Sequence, residues 1–339
     1  ESAGRVKLPV SPGGISGILD VDVLCEGDSR DVPLLIGLPA MRAMKLIIDW
    51  AQNDECFVDA VHGDDKQRVP LVEGTSFTLG DEKIISFAYI EPQSRFNLSD
   101  CLTKATVSDD GYVLDGYKAL VHNASASDTL IVSARTSGNQ CDEKGISLFL
   151  LDVNSKGVSL RNYSTIDGGK ASELTLENVS VPKDSLLGEI DAGFSTIENA
   201  IDLATLGICA EAVGIMGKMN EMTLEYTKTR EQFEQKLSQF QALQHRMVDN
   251  FMHYEQSKSL LVMCAAKMND NTEDKKKALA SLKYQIGLSG KHIGEESIQL
   301  HGGMGVTDEM HIGHYFKRLT TIRTLYGNSD YHLSNYASL

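Results

Sequence analysis

The spacing of apolar residues changes near residue 190, and that change limits what the chain can fold into. Downstream of Asp191, apolar residues recur three and four apart almost to the C-terminus, the period of amphipathic helices. The pattern predicts helices over about 196–229, 239–268, 273–300 and 308–325. In the third, Ala278, Leu282, Ile286, Ile293 and Leu300 face inward. In the fourth, Tyr315, Leu319 and Ile322 supply the apolar face. Consecutive amphipathic helices joined by short loops predict a four-helix bundle. Upstream, from Ile84, the texture is short β segments at 103–107, 112–114, 119–122, 129–134, 146–152, 157–160 and 174–179. Asp109-Asp110-Gly111 is a hairpin signal between the first two. Strands at this spacing predict a small β-barrel or sandwich, closed by the Pro-marked extended connector 181–188.

The stretch from Gly207 to His245 organises the helical half. Leu203, Leu206, Val213 and Met216 lie before it or within it, and Phe240, Leu243, Met247 and Phe251 follow. Between the two helices sits Arg230-Glu231-Gln232-Phe233. Arg offers a planar fork of donors and Phe a stacking face, so the cluster suits a phosphate and a flat ring. An ordinary helical hairpin with a surface Arg is the plainer alternative. Gly302, Gly303 and Gly305 follow the third helix, where missing Cβ atoms permit a left-handed turn or close approach of a ligand. A helix C-cap explains the same glycines.

Composition narrows the partners. A formal net charge of −15 argues against nucleic acid or an anionic membrane surface. No apolar run approaches the ~20 residues of a membrane span, and no signal peptide is visible at the start. The opening Glu1, without Met, suggests a cut N-terminus. Six cysteines show no paired short spacing, so no metal site is expected. Cys209 and Cys264 fall on helical apolar stretches and are expected in the core, and a reduced, cytoplasmic protein fits this usage.

Residues 1 to 80 differ from the rest. Residues 21–25, 32–36 and 47–50 are strand-like, with a short helix expected over 38–46. The runs Pro33-Leu34-Leu35-Ile36-Gly37-Leu38-Pro39 and Leu46-Ile47-Ile48-Asp49-Trp50 resemble the back half of a retrotransposon-type aspartic protease. Such an enzyme needs an Asp-Thr-Gly or Asp-Ser-Gly loop, because paired carboxylates share one proton to activate water. The chain contains neither tripeptide. The polar, acidic residues 52–82 mark a seam.

From Ile84 to Leu339 the chain resembles an acyl-CoA dehydrogenase. Five segments carry the resemblance in family order: Ala88-Tyr89-Ile90-Glu91-Pro92-Gln93-Ser94-Arg95, Gly111-Tyr112-Val113-Leu114-Asp115-Gly116-Tyr117-Lys118, Arg230-Glu231-Gln232-Phe233, the Phe240-Gln241 run, and Gln299-Leu300-His301-Gly302-Gly303-Met304-Gly305. The resemblance implies a middle β-domain over 84–190 and a C-terminal helical bundle over 191–339, which with the β-rich segment 1–80 give an expected α+β multidomain fold. It implies FAD, with Phe87, Tyr89, Ile90, Leu120 and His122 toward the flavin. Arg230, Phe233, Gln299, Gly302, Gly303 and Asn328 are the implied contacts to the rest of the cofactor, shared with a neighbouring subunit of a homo-oligomer. The implied reaction is α,β-dehydrogenation of an acyl-CoA thioester, with an electron-transfer flavoprotein as acceptor.

Four departures qualify this expectation. The family's usual base is the Glu of a Tyr-Glu-Gly-Thr segment; here Leu325-Tyr326-Gly327-Asn328 puts Tyr326 in its place. An alternative base position falls on Ala204, with Asp202 the nearest acid, though a two-residue offset on a helix points it elsewhere. A solvated first-turn acid is the plainer role for Asp202. Ile90 replaces a Thr, and Leu120 and His122 replace a Trp and a hydroxyl residue. The family's helical N-terminal domain is replaced by the segment 1–80.

Overall fold

The computed structural model describes residues 84–268 and 272–339, together with four short strand segments nearer the N-terminus. Those segments form two antiparallel pairs, β1 (Arg5–Val10) with β2 (Gly17–Asp22) and β3 (Val61–His62) with β4 (Asp65–Lys66). The protease-like runs at 33–39 and 46–50 lie outside the described residues, as does most of the seam at 52–82.

The β segments build one eight-stranded mixed sheet. Its strands are β5 (Ile85–Ala88), β6 (Lys104–Ser108), β7 (Gly111–His122), β8 (Thr129–Arg135), β9 (Ile146–Asp152), β10 (Val158–Ser164), β11 (Lys170–Pro182) and β12 (Leu186–Leu187). The spatial order is β10-β11-β7-β6-β8-β9-β12, with β5 laid parallel on β8. The expected hairpin is present: Ser108 pairs with Gly111 across Asp109 and Asp110. The segments expected at 112–114 and 119–122 are one strand, because the chain passes extended through Gly116. A Cβ there would stand 2.6 Å from the Thr103 hydroxyl, so only Gly lets the strand continue.

Alternation along the strands sorts side chains to two faces. Leu130, Val132, Phe149 and Leu151 join Leu114 and Leu174 in one core. Ile131, Ile146 and Leu148 face the other way, onto Phe194, Ile197 and Ala200 at the start of the first helix, α1 (Gly193–Thr229). By length and composition α1 could cross a membrane, against the expectation from the sequence. However, 61% of its most apolar window is buried inside the protein, as in a core helix.

The chain divides into two compact units, one of residues 29–203 and one of residues 1–28 and 204–339. In the helical unit, α1 is followed by a two-stranded hairpin, β13 (Glu231–Gln232) with β14 (Gln235–Lys236). Helices α2 (Gln241–Lys267), α3 (Thr272–His301), α4 (His311–Ile322) and α5 (Ser329–Ser338) complete it. A turn of 3-10 helix, Gly302–Val306, separates α3 from α4. Leu206, Val213, Met216, Leu282, Ile286 and Leu319 form the core with the buried thiols of Cys209 and Cys264. Leu203 and Phe251, expected on inward stripes, are exposed. The ten-residue α5 is an addition to the four expected helices: the Asn328 side chain accepts from the Tyr331 backbone N–H at 2.9 Å and caps it.

Candidate functional site

In the sheet unit, the turn after β5 is pinned to β7 by a buried ion pair. Lys118 is fully buried and Glu91 nearly so, and the Lys118 Nζ donates to Glu91 Oε1 at 2.7 Å. The same carboxylate accepts from the backbone N–H of Leu102 at 2.7 Å and of Thr103 at 3.0 Å, and from the Gln93 amide at 2.8 Å. Burial pushes the Glu91 carboxyl up, but the Lys118 ammonium and these hydrogen bonds outweigh it and hold the group at about 2. One residue away, the Ala119 N–H donates to the Ile90 carbonyl at 2.8 Å. Ile90 is thereby laid against the segment carrying Leu120, which sits in the left-handed region at φ 51, and His122. Phe87 and Tyr89 stack, with ring centroids 4.9 Å apart, on the same turn. The five sheet residues expected toward a flavin therefore lie on two backbone segments that one ion pair holds together. Sequence reading quoted Glu91 and Lys118 as parts of motifs and passed over their partnership, because they stand 27 residues apart.

In the helical unit the two expected cofactor segments share one end. Tyr226, one turn before Arg230, stacks on His301, the residue before Gly302, at 4.4 Å between ring centroids. The Arg230 N–H closes the last turn of α1 on the Tyr226 carbonyl, and the exposed Arg230 then opens the β13–β14 hairpin. The turn of that hairpin is Phe233-Glu234, both at positive φ, 55° and 64°. Asn and Gly are the residues that adopt this turn freely; for Phe and Glu it costs about 1–2 kcal/mol each. The strain leaves Phe233 84% exposed, with Phe240 edge-on at 6.2 Å.

The glycines divide by role. Gly302, at φ 59, ends α3 as a left-handed cap, and a Cβ on Gly305 would stand 2.6 Å from the Ile298 carbonyl. Gly303 has neither excuse: its φ is ordinary and a Cβ would meet nothing within 4 Å. Its missing side chain serves nothing inside the unit and leaves the surface open beside exposed Gln299. His301 is buried, its Nδ1–H donates to the Ser297 carbonyl at 2.8 Å, and its buried Nε2 has no partner among the described residues. An open cation, a displayed aromatic face, a bare glycine and an orphaned imidazole nitrogen at one end of a helical unit fit the phosphates and base of a dinucleotide such as FAD.

The position of the proton-accepting group is less orthodox. The Tyr326 ring packs against the helical core, and burial pushes its hydroxyl up to about 12. Asn328 spends its side-chain oxygen on the α5 cap. Ala204 is buried and Asp202 half-buried on α1. The acid that sequence reading overlooked is Glu211, two helical turns beyond Ala204 and so on nearly the same face. It accepts from Arg318 in bidentate fashion, at 2.6 and 2.8 Å. Among the described residues no group of three or more His, Cys, Asp or Glu side chains could hold a metal ion.

Comparisons with known proteins identify the family of the two units. Residues 86–179 match the acyl-CoA dehydrogenase middle domain, and residues 191–338 match the acyl-CoA dehydrogenase C-terminal domain. A 3-(aryl)acrylate reductase of Clostridium sporogenes is 30% identical over 269 residues, which are 78% of this chain and 69% of the relative. The caffeyl-CoA reductase-Etf complex subunit CarC of Acetobacterium woodii is 28% identical over the same shares of the two chains. Among solved structures, butyryl-CoA dehydrogenase from Megasphaera elsdenii superposes with a TM-score of 0.70 at 26% identity, covering 76% of this chain and 68% of that one.

Proposed function

The chain belongs to the acyl-CoA dehydrogenase family of FAD-dependent flavoproteins, and from that premise we propose that it binds FAD and acts on an acyl-CoA thioester. Bound FAD supplies the redox step, taking or giving a hydride at the thioester's β-carbon. The protein's share is position. Arg230 offers its fork of donors to the pyrophosphate, Phe233 a face to the adenine, and Gly303 room for close approach. The sheet segments around Ile90 and Leu120 line the flavin. The observation that carries the reading is the Phe233-Glu234 turn, where backbone strain holds a large aromatic out in solvent.

The resemblance to the family supports a homo-oligomer, in which Arg230 and Phe233 reach the FAD of a second copy. An electron-transfer flavoprotein as acceptor is supported by the name of the Acetobacterium relative, a subunit of a reductase-Etf complex. The buried thiols of Cys101 and Cys209, neither in a disulfide, support a reducing, cytoplasmic setting. Residues 1–80 are assigned to an aspartic-protease-like fragment on their sequence pattern alone.

A second reading, FAD binding without turnover, is favoured by one feature: Tyr326 stands in the base position and stays protonated at neutral pH. One experiment separates the two. Purified protein that is yellow, absorbing near ~450 nm, holds flavin. Anaerobic bleaching on addition of butyryl-CoA identifies an enzyme, and a stable yellow colour identifies a binder. Protein that takes up no FAD supplied in excess refutes both.

A further inference from the structure

We propose that the Glu91–Lys118 ion pair is a positioning element for the flavin, setting the separation and register of the Ile90 turn against the Leu120 segment. The proposal rests on the FAD reading above and adds to it two residues that touch no cofactor themselves.

Four observations carry it. First, both partners are buried, with relative exposures of 1% for Glu91 and 0% for Lys118, so the pair lies inside the sheet unit. A buried ion pair is weak support for stability, since desolvating both charges offsets their attraction; neutral, well-packed replacements are often as stable. Its role is better explained by what it fixes. Secondly, its satisfaction is nearly complete. Besides Glu91, the ammonium donates to the Ser133 hydroxyl at 3.0 Å on the central strand β8. The carboxylate is fully engaged by two backbone N–H groups and the Gln93 amide. Networks satisfied to this degree are rigid and specify one arrangement.

Thirdly, the pair bridges the two segments that carry the flavin-side candidates. Glu91 adjoins Ile90, and Lys118 lies two residues before Leu120. The Ala119 to Ile90 backbone hydrogen bond, 2.8 Å long, sits directly between them. Fourthly, both segments are irregular where the pair grips them. Leu120 takes φ 51 and Arg95 takes φ 48, conformations a surrounding structure must enforce. With the carboxyl held at about 2, the charge on Glu91 persists through the neutral range, so the grip does not vary with physiological pH.

The test replaces the charges while keeping the packing. In Glu91→Gln/Lys118→Met the pair becomes neutral and nearly isosteric. The expected result is a melting temperature close to the parent's, a Kd for FAD raised about tenfold, and a visible flavin band moved toward that of free FAD. A role confined to stability predicts the reverse, a lower melting temperature with Kd and spectrum unchanged, and that result overturns the proposal. Should the double variant fail to fold, Ser133→Ala decides: it leaves the pair but removes the third anchor. It is expected to raise the Kd for FAD about threefold, and an unchanged Kd overturns the proposal. A parent protein that binds no FAD is a different outcome: it removes the flavoprotein reading, and the proposal falls with it. A parent that binds FAD, beside a folded double variant that binds it equally well, removes the proposal alone.

Discussion

Tyr226 and His301 stack with their planes 25° apart, and this contact joins the last turn of α1 to the last turn of α3. The stack ties the helix end that leads into Arg230 to the helix end that leads into Gly302. Helix C-termini leave carbonyls unsatisfied and would repel a phosphate. An anion bound at this end would therefore be held by the Arg230 side chain and not by a helix dipole.

Replacing Tyr226 with Leu should loosen that junction. The stack itself is worth about 0.5–1.5 kcal/mol, so chemical denaturation should show a loss in that range. The Kd for FAD, followed by quenching of flavin fluorescence, should rise about tenfold if the two helix ends form one clamp. An unaltered Kd beside the stability loss would reduce the stack to core packing.

His332 should make stability depend on acid. Burial, opposed by its hydrogen bond to the Tyr326 carbonyl at 2.9 Å, brings the imidazole down from 6.5 to about 4. The unfolded chain then binds the proton more readily than the folded one, so this stability is fully present above pH 6.5 and drains away as the pH falls toward 4. The limit is on the order of 3 kcal/mol. His332→Gln should lose the corresponding slope in a comparison of denaturation midpoints across that window. Parallel slopes for parent and variant would show that the imidazole is not kept neutral by the fold.

Lys283 closes the end of α4 from within. Its buried ammonium donates to the carbonyls of Ile322 at 2.8 Å and Gly327 at 3.0 Å, and burial pushes its ordinary value of 10.5 down to about 8. Lys283→Met fills the space but leaves both carbonyls unpaired, at about 1–3 kcal/mol each. The expected cost is roughly 3 kcal/mol, read from the urea midpoint. A cost below about 1 kcal/mol would mean that water replaces the ammonium there.

The periodic parts of this fold were legible and the paired parts were not. Alternation in β8 and β9 and the three-four spacing in α1 and α3 each depend on residues close in sequence, so strands and helices could be placed from the chain alone. The strand Gly111–His122 was read as two segments because the Thr103 side chain that needs the bare Cα of Gly116 lies just before β6, far from it in local pattern. The short α5 was missed because ten residues carry little period, and Asn328, singled out as a cofactor contact, also caps that helix. Arg230, Phe233 and Gly302 could be singled out by residue type. What could not be seen was the strain at Phe233, the stack that joins the two helix ends, and the ion pairs Glu91–Lys118 and Glu211–Arg318. The partners of the last pair are 107 residues apart, and nothing in either local pattern names the other.

The sharpest test of the chemistry concerns Tyr326. A phenol held at about 12 cannot accept a proton at neutral pH, and the acid on a favourable face of α1, Glu211, is held by Arg318. Both of its oxygens are engaged by that guanidinium, which holds the carboxylate in a structural pair. Flavin bleaching by butyryl-CoA should therefore be slow in the parent. Tyr326→Glu restores a carboxylate at the residue that matches the family's base. A positioned general base contributes about 10²–10⁴-fold, so anaerobic bleaching should quicken by at least about 10²-fold in the variant, with the Kd for FAD unchanged. Asp202→Asn is the control. If Asp202 already serves as the base, its removal abolishes the parent's bleaching, and Tyr326→Glu then adds little. If Asp202→Asn bleaches like the parent while Tyr326→Glu is no faster, neither residue meets the substrate's α-carbon, and FAD binding without dehydrogenation becomes the better account of this chain.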